Sequence, residues 1–177
     1  EKTPTVEEPN AMTLSTVDAQ GVPKARVVLL KEFTQEGFVF YTNYTSSKGQ
    51  AIAQNNKVCV SFFWPSLERQ IIITGMAVKI SEEKSIAYFN KRPRESQLGA
   101  MVSDQSTSID SREALEEKLL ELEKKYDTSP IVKPPHWGGY LILPTSYEFW
   151  QGRSSRLHDR IKYTKINNSW NIGRLQP

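Results

Sequence analysis

The stretch that decides the fold is KVCVSFFWPSLERQIIITGMAVKI, residues 57–80, in which two β-rich runs flank a short break. The runs at residues 57–64 and 69–80 are rich in Val, Ile and Phe, which favour strands. Pro65-Ser66-Leu67 is typical of a turn, so the stretch predicts two consecutive strands joined by a short connection. Gly75, inside the second run, predicts a bulge or bend in that strand.

Further strands are predicted on both sides of this pair, separated by segments with turn-forming residues. The run KARVVLLK is nearly continuous in apolar residues, which is typical of a strand with both faces covered. The turns fall at residues 18–21 and 34–37, where Asp, Gln, Thr and Gly concentrate. The additional predicted strands are residues 11–16, 24–31, 38–42, 139–143, 147–151, 157–164 and 169–175.

Four helical segments interrupt the strands. They are predicted at residues 46–55, 81–92, 93–102 and 111–126, with a break at Pro93 and a proline-rich connector over residues 127–137. For the last helix we expect Asp110 as the N-cap and Glu113 in the capping-box position. Its apolar stripe consists of Leu115, Leu119, Leu122 and Tyr126.

The order of these elements indicates the fold class. Many strands without regular βαβ alternation predict a mostly β protein with peripheral helices, built as an antiparallel barrel or as an α+β domain. Residues 1–10, with Pro4 and Pro9, predict a flexible N-terminal arm, and residues 11–177 a single domain. The chain begins with Glu1 rather than Met, so we expect a preceding segment.

Composition excludes several classes of function. The 177 residues carry 38% apolar and 24% charged residues, which suits one globular domain. No apolar run approaches the ~20 residues that span a bilayer, so we expect no membrane partner. A net charge of +3 is small for a nucleic-acid-binding protein, whose basic excess is larger and more segregated.

The residues that bind metals or form disulfides are few. A single cysteine, Cys59, cannot form an internal disulfide, which indicates a reducing compartment, and we expect the cytoplasm. Together with His136 and His158 it also cannot complete a closed zinc site, so we expect no metal.

Two clusters near the N-terminus suggest anion binding. In the segment from Arg26 to Lys31, a cation stands at each end of four apolar residues. This pattern fits an anion-binding site, but it also fits a buried strand whose two ends meet water. In a regular strand Arg26 and Lys31 face opposite sides, so one pocket needs a twist or a bulge. Tyr41-Thr42, followed by Ser46-Ser47-Lys48 at a helix start, fits a phosphate cradle or an ordinary helix cap.

Two further clusters lie downstream. Tyr88 and Arg92 share one helix face, and Ser96 extends it if the break at Pro93 is mild. A guanidinium fork and two hydroxyls suit a phosphate, although a solvent-facing basic helix end gives the same pattern.

The last cluster follows Trp150. If residues 156–160 are extended, Arg156, His158 and Arg160 face one side of the strand. Three potential cations side by side repel one another unless an anion, a π-system or a carboxylate from elsewhere in the chain lies among them. Together the four clusters predict a polyanionic ligand with two phosphates. The sequence contains no Gly-x-Gly-x-x-Gly, Walker or Gly-x-Ser-x-Gly motif, which argues against a Rossmann nucleotide site and a serine hydrolase.

These clusters resemble the pyridoxine/pyridoxamine 5′-phosphate oxidase family over nearly the whole chain from about Asn10. The resemblance is specific because three segments occur together: an upstream KRP, then FWQG, then RLHDR. The matching segments are RVVLLK (26–31), FYTN (40–43), ERQ (68–70), YFNKRPRESQLGA (88–100), SDQS (103–106), WGGY (137–140), EFWQG (148–152), RLHDR (156–160) and the terminal RLQP.

The resemblance implies an FMN-binding split β-barrel that forms a homodimer, with the flavin at the subunit interface. By resemblance, the residues expected to bind FMN are Arg26, Val27, Val28, Leu29, Leu30, Lys31, Tyr41, Thr42, Ser47, Lys48, Gln70, Gln105, Ser106, Trp150 and Arg160. Those expected to bind the substrate are Lys31, Tyr88, Arg92, Ser96, Arg156, Leu157 and His158. Arg156 and His158 are the expected catalytic residues. Ser47 stands where the family usually has Arg.

The implied reaction is the oxidation of pyridoxine or pyridoxamine 5′-phosphate to pyridoxal 5′-phosphate. A hydride passes from substrate C4′ to flavin N5, and dioxygen then reoxidises the flavin and yields hydrogen peroxide. Three other functions fit part of the pattern: a split-barrel flavin reductase, a flavin- or pyridoxal-phosphate-binding carrier without turnover, and a basic nucleic-acid-binding barrel. Aromatic residues such as Phe38 and Phe62 lie in apolar strands, which argues against the last.

Overall fold

The structure, a computed structural model, describes residues 6–177, in which nine β-strands and four α-helices form. The strands are Ala11–Val17 (β1), Pro23–Leu29 (β2), Glu32–Phe33 (β3), Phe38–Asn43 (β4), Lys57–Trp64 (β5), Arg69–Lys79 (β6), Trp137–Gln151 (β7), Asp159–Ile166 (β8) and Ser169–Leu175 (β9). The helices are Ser47–Gln54 (α1), Glu82–Lys91 (α2), Arg94–Val102 (α3) and Arg112–Lys125 (α4).

The strands of the described chain form one sheet in the order β2-β1-β5-β6-β7-β4-β3, and β8 and β9 extend from β7. All of these pairings are antiparallel, which confirms the predicted mostly β, antiparallel class. The sheet curls until β2 approaches β4, and the amide of Lys31 donates a hydrogen bond to the carbonyl of Val39 (2.9 Å). This closure gives the sheet the form of a partial barrel.

The long strand β7 organises the sheet. It pairs with β6 over most of its length, with β4 through residues 137–142 and with β8 through residues 146–151. The same strand therefore joins the closed side of the sheet to the β8–β9 hairpin.

The prediction of two strands at residues 139–143 and 147–151 is wrong, because β7 continues through both. The register between β6 and β7 shifts between Thr74 and Gly75, so a bulge absorbs one extra residue of β7 without ending it. Pro144 lies at this irregularity, where the missing amide of a proline is tolerated. The predicted bulge at Gly75 is confirmed.

The core lies on the inner face of the curled sheet, where one large cluster includes the completely buried Leu14, Phe40, Val60 and Ile142. A second cluster joins α2, α3 and the connector to the start of β7. It consists of Phe89, Leu98, Ile131 and Trp137. Helices α2 and α3 thus pack against the first residues of β7, the part of that strand that pairs with β4.

The helix starts follow the capping chemistry, with one correction. The hydroxyls of Ser46 and Ser81 accept hydrogen bonds from the third amides of α1 and α2. For α4 the N-cap is Ser111 and not Asp110, so Glu113 is the second helical residue and the predicted capping box is wrong. Among the described residues, no helix has the length and apolar character required to cross a bilayer.

Other boundaries move by a few residues. Strand β2 ends at Leu29, two residues earlier than predicted, and β8 begins at Asp159. Residues 1–5 of the predicted arm lie outside the described residues. Within its remainder, the carbonyl of Pro9 accepts from the Trp64 indole and Asn10 exchanges hydrogen bonds with Leu30.

Two helical glycines give a test of this packing. A Cβ on Gly49 would lie 2.2 Å from the carbonyl oxygen of Tyr44, whereas a Cβ on Gly99 meets nothing within 4 Å. We expect Gly49→Ala to lower the free energy of unfolding by about 1–3 kcal/mol, because the contact is with backbone. Gly99→Ala, the matched control, should raise it by up to about 1 kcal/mol through helix propensity. Urea unfolding of both variants measures this, and equal effects would contradict the close approach at Gly49.

Candidate functional site

A cleft of about 610 Å³ opens between the end of β2, strand β4, the start of α1 and helix α3. It brings together residues from three of the four sequence clusters. The predicted residues that line it are Arg26, Val27, Val28, Leu29, Lys31, Tyr41, Thr42, Lys48, Arg92, Ser96 and Gln105. Because β2 ends at Leu29, Arg26 and Lys31 do not belong to one regular strand, and both line the cleft.

Lys48 forms a buried positive centre on one side of the cleft. Its ammonium donates to Gln105 Oε1 (2.7 Å), Thr42 Oγ1 (3.2 Å) and Ser46 Oγ (3.3 Å), and within residues 6–177 it pairs with no carboxylate. Burial, and then the charge of Arg26, lower the pKa of Lys48 to about 8. A bound anion would compensate this buried charge.

Arg26 lies beside Lys48 on the inner face of β2. Its register with Leu14 of β1 lets Nη1 donate to Thr16 Oγ1 (2.8 Å) and to the carbonyl of Leu14 (3.2 Å). Partial burial lowers the pKa of the guanidinium. Both of its acceptors are neutral, so no carboxylate of the described chain compensates the charge of these two neighbouring cations.

Arg92 forms a second positive centre in the same cleft. Helix α2 ends at Lys91, and Arg92 follows in an extended conformation before Pro93 and α3. The guanidinium carbon lies 4.8 Å from the centre of the Trp137 ring. The Nη1 atom is buried without a hydrogen-bond partner in the described chain, and burial lowers the pKa of the group. The predicted continuous helix face is therefore broken at Pro93, yet Arg92 and Ser96 still line one cleft.

Three aromatic rings stand beside Arg92. Tyr41 stacks on Tyr88 at 3.9 Å and on Trp137 at 5.2 Å, with interplanar angles of 11° and 12°. Burial, and then the charge of Glu32, raise the pKa of Tyr41 to about 12, so it is protonated at neutral pH. Tyr41 and Trp137 supply a flat and neutral aromatic surface to the cleft, and Tyr88 stacks on Tyr41 without lining it.

The remaining predicted residues form a separate group on β6, β7 and β8. Gln70, Trp150 and Arg160 are directly opposite one another in register, so their side chains share one face of the sheet. Arg160 donates to Glu148 (2.7 Å) and to the carbonyl of Gln176 (2.9 Å). The carboxylate that neutralises this cation thus comes from the neighbouring strand.

His158 packs on Trp150, with 4.8 Å between ring centres. Its Nδ1 accepts a hydrogen bond from the amide of Arg153 (3.1 Å), so in the neutral ring the proton is on Nε2. This arrangement leaves His158 an N–H donor on its outer edge.

The expectation that Arg156, His158 and Arg160 alternate along an extended strand is wrong. Ser155 and Arg156 have φ values of 58° and 60°, and residues 154–156 form a single 3-10 turn. Arg156 is exposed, and Leu157 has 69% of its surface exposed.

Several predicted residues are outside the cleft. Ser47 and Ser106 are exposed and do not line it, and Leu30 packs against the main core. Gln70, Trp150, Arg156, Leu157, His158 and Arg160 also do not line it, and Tyr88 lines a neighbouring pocket that shares Tyr41 with the cleft. Their roles remain predictions.

Sequence reasoning missed other cleft residues. These are Asn43, Gly99, Ala100, Ser103 and Trp137. Asn43 and Trp137 lie in the FYTN and WGGY segments, and the position of those segments next to predicted site residues was the available signal.

Comparisons with known proteins agree with this architecture. A family model described as Pyridoxamine 5'-phosphate oxidase matches residues 2–126, and one described as Pyridoxine 5'-phosphate oxidase C-terminal dimerisation region matches residues 137–177. Proteins named pyridoxine/pyridoxamine 5'-phosphate oxidase from Christiangramia forsetii and Flavobacterium psychrophilum are 59% and 57% identical. Each alignment covers 97% of this chain, and 80% and 81% of the respective relative.

A solved structure gives the same result. PhzG from Burkholderia lata 383, crystallised with tetrahydrophenazine-1-carboxylic acid, aligns with a TM-score of 0.92 at 31% identity and covers 97% of this chain and 84% of its own. The chain is therefore a split-barrel flavoprotein, an oxidoreductase whose cofactor is FMN. It belongs to the pyridoxine/pyridoxamine 5′-phosphate oxidase family.

The buried charge of Lys48 has a measurable effect on the stability of the flavin-free protein. Because the lysine pKa is about 8 in the folded protein and near 10.5 in the unfolded chain, the unfolded state binds more protons between these values. Stability should therefore rise with pH across this window, relative to Lys48→Met, which lacks the group. Urea unfolding of both proteins from pH 7 to 10.5 gives the difference, and a constant difference would contradict the buried, uncompensated ammonium.

Proposed function

We propose that the protein oxidises pyridoxine 5′-phosphate or pyridoxamine 5′-phosphate to pyridoxal 5′-phosphate with FMN, and that dioxygen accepts the electrons and yields hydrogen peroxide. One observation carries the proposal: the cleft holds two cationic centres, one formed by Lys48 and Arg26 and the other by Arg92, and neither pairs with a carboxylate of residues 6–177. A phosphorylated flavin and a phosphorylated substrate supply the two anions that these centres need.

The two phosphates are assigned by the surroundings of each centre. We assign the FMN phosphate to Lys48, Thr42 and Gln105, whose side chains are hydrogen-bonded to one another. Arg26, which lines the same cleft, completes this group. The substrate phosphate is assigned to Arg92 and Ser96 together with Tyr88 and Lys31. Arg92 suits this role because no group of residues 6–177 accepts a hydrogen bond from its buried Nη1.

When bound, FMN would supply the redox chemistry: it would take a hydride from C4′ of the substrate, whose hydroxyl or amine would lose a proton, and dioxygen would accept the electrons. With pyridoxamine 5′-phosphate, water would then hydrolyse the resulting imine to the aldehyde and release ammonia. The protein supplies binding and charge. The guanidinium of Arg156 offers only N–H donors, so its role is to orient the substrate ring and to stabilise negative charge, not to act as a base. His158 would donate a hydrogen bond from Nε2 to the substrate, because its Nδ1 already accepts one from the amide of Arg153.

We further propose that two chains complete each site. Along β7, Trp137 of the cleft and Trp150 of the second group are separated by about 40 Å of strand, at about 3.3 Å per residue. One chain therefore does not bring both groups to one small ligand. A second copy would supply Gln70, Trp150 and Arg160 together with Arg156 and His158.

The outer face of the sheet favours such an assembly. Val27 and Phe63 lie on the same face as Trp150 and have 66% and 57% of their surfaces exposed. The C-terminal family model, whose name refers to dimerisation, covers β7 to β9. We accordingly propose a homodimer with FMN at the subunit interface. We place it in the cytoplasm, where the free thiol of Cys59 stays reduced.

The activity is tested with the FMN-loaded protein in air. The wild type should convert pyridoxine 5′-phosphate to pyridoxal 5′-phosphate with equimolar hydrogen peroxide. Arg92→Ala should raise the KM for this substrate roughly 10- to 150-fold, the value of one charged hydrogen bond, with FMN binding unchanged. Product absorbance and a peroxide assay measure the reaction.

The matched control is Lys91→Ala, which removes a neighbouring cation outside the cleft and should leave the KM unchanged. A yellow protein that forms no pyridoxal 5′-phosphate would instead favour a flavin reductase or a ligand carrier. Release of FMN by Arg92→Ala with an unchanged KM would show that the two phosphates are assigned the wrong way round.

Mixing two inactive variants tests whether each site is shared between chains. Lys48→Met and Arg156→Ala should each be nearly inactive as homodimers. After joint unfolding and refolding, a mixed dimer contains one site with both defects and one site with neither. We expect about a quarter of wild-type activity in an equal mixture, since half of the dimers are mixed and each has one intact site. Activity no higher than the sum of the separate variants would contradict a shared site.

A further inference from the structure

We propose that Trp137 is the positioning residue that holds Arg92 in place to bind the substrate phosphate. The indole lines the cleft with 6% of its surface exposed, and the guanidinium carbon of Arg92 lies 4.8 Å from its ring centre. The ring of Phe89 is farther away, at 5.9 Å. This inference rests on the proposed function, because it assigns a role to Trp137 within the substrate phosphate site.

An aromatic ring suits this task better than a carboxylate. A carboxylate would orient Arg92 by occupying its N–H donors and would cancel its charge. A ring face attracts the guanidinium through its quadrupole and leaves the donors at the edge of the fork available. The buried Nη1 of Arg92, which has no partner within residues 6–177, is consistent with this arrangement.

Trp137 is linked to helix α2, which precedes Arg92, through the side chain of Lys133. Its carbonyl accepts a hydrogen bond from Lys133 Nζ (2.7 Å), and the side chain of Lys133 is 98% buried. The same ammonium pairs with Glu82 of α2 at 3.0 Å. Glu82 begins α2 and Arg92 follows its last residue, so this contact connects the tryptophan to the helix that carries the guanidinium.

The indole ring of Trp137 also contacts strand β4, through the ring of Tyr41. Tyr41 stacks on Trp137 and on Tyr88 in nearly parallel planes, and the planes of Tyr88 and Trp137 differ by 4°. The indole is therefore held on its backbone side by Lys133 and on its ring side by Tyr41. A guanidinium that rests on this platform has a defined position before any phosphate arrives.

The test compares Trp137→Met, which keeps much of the volume but has no ring, with Trp137→Phe, which keeps a ring. With FMN-loaded enzyme, Trp137→Met should raise the KM for pyridoxine 5′-phosphate and the Kd for pyridoxal 5′-phosphate about tenfold, with kcat and FMN retention within twofold of wild type. Trp137→Phe should stay within threefold in all four quantities. Steady-state kinetics, an absorbance titration with pyridoxal 5′-phosphate and flavin content after dialysis measure them.

A double-variant cycle shows whether Trp137 acts through Arg92. In an Arg92→Ala background, Trp137→Met should cause no further loss of pyridoxal 5′-phosphate affinity, because no guanidinium remains to be positioned. Multiplicative losses would overturn the proposal. So would a Trp137→Met enzyme that keeps its KM and loses FMN. If Trp137→Met does not fold, Trp137→Phe decides, and a KM tenfold above wild type with FMN retained would overturn it.

The proposed function and this inference fail in different ways. A wild-type protein that oxidises neither phosphorylated vitamer would overturn both. A wild type with full activity, whose Trp137→Met variant has unchanged KM and unchanged pyridoxal 5′-phosphate affinity, would overturn the role of Trp137 alone.

Discussion

The pairing of β7 with three neighbouring strands is the constraint on which the rest of the structure depends. Because β6 runs beside it through the bulge at Gly75, one strand continues from the cleft to the β8–β9 hairpin. Trp137 at its start and Trp150 near its end are thereby placed in two different groups of site residues. The length of this strand is the physical reason for proposing that a complete site needs two chains.

Uncompensated positive charge is the second constraint. Burying a cation without an acidic partner costs folding free energy, and here Lys48 and Arg92 both incur that cost. Their neighbours are neutral oxygens and aromatic rings, which orient a cation without cancelling its charge. The flavin-free fold gives up stability at these positions, and the cleft gains affinity for anions.

Much of this arrangement could be predicted from sequence, because the strands and helix caps follow local patterns. The bulge at Gly75 was predictable from one glycine in a β-rich run, whereas the continuity of β7 depends on a partner strand distant in sequence. The alternation expected at Arg156 failed because two residues there adopt left-handed backbone, which no local pattern indicated. Trp137 was missed because its role depends on Arg92, 45 positions away in the chain.

The hydrogen bond from Arg160 to the carbonyl of Gln176 links the last strands to the end of the described chain. Strand β9 pairs with β8 beside Arg160, where Leu175 lies opposite the arginine. Cleavage of the chain before residue 176 would therefore leave Arg160 with Glu148 as its remaining hydrogen-bond acceptor among the described residues. Proteolytic trimming within or just after β9 would in this way loosen an arginine that is expected to hold the flavin, although that arginine belongs to the preceding strand.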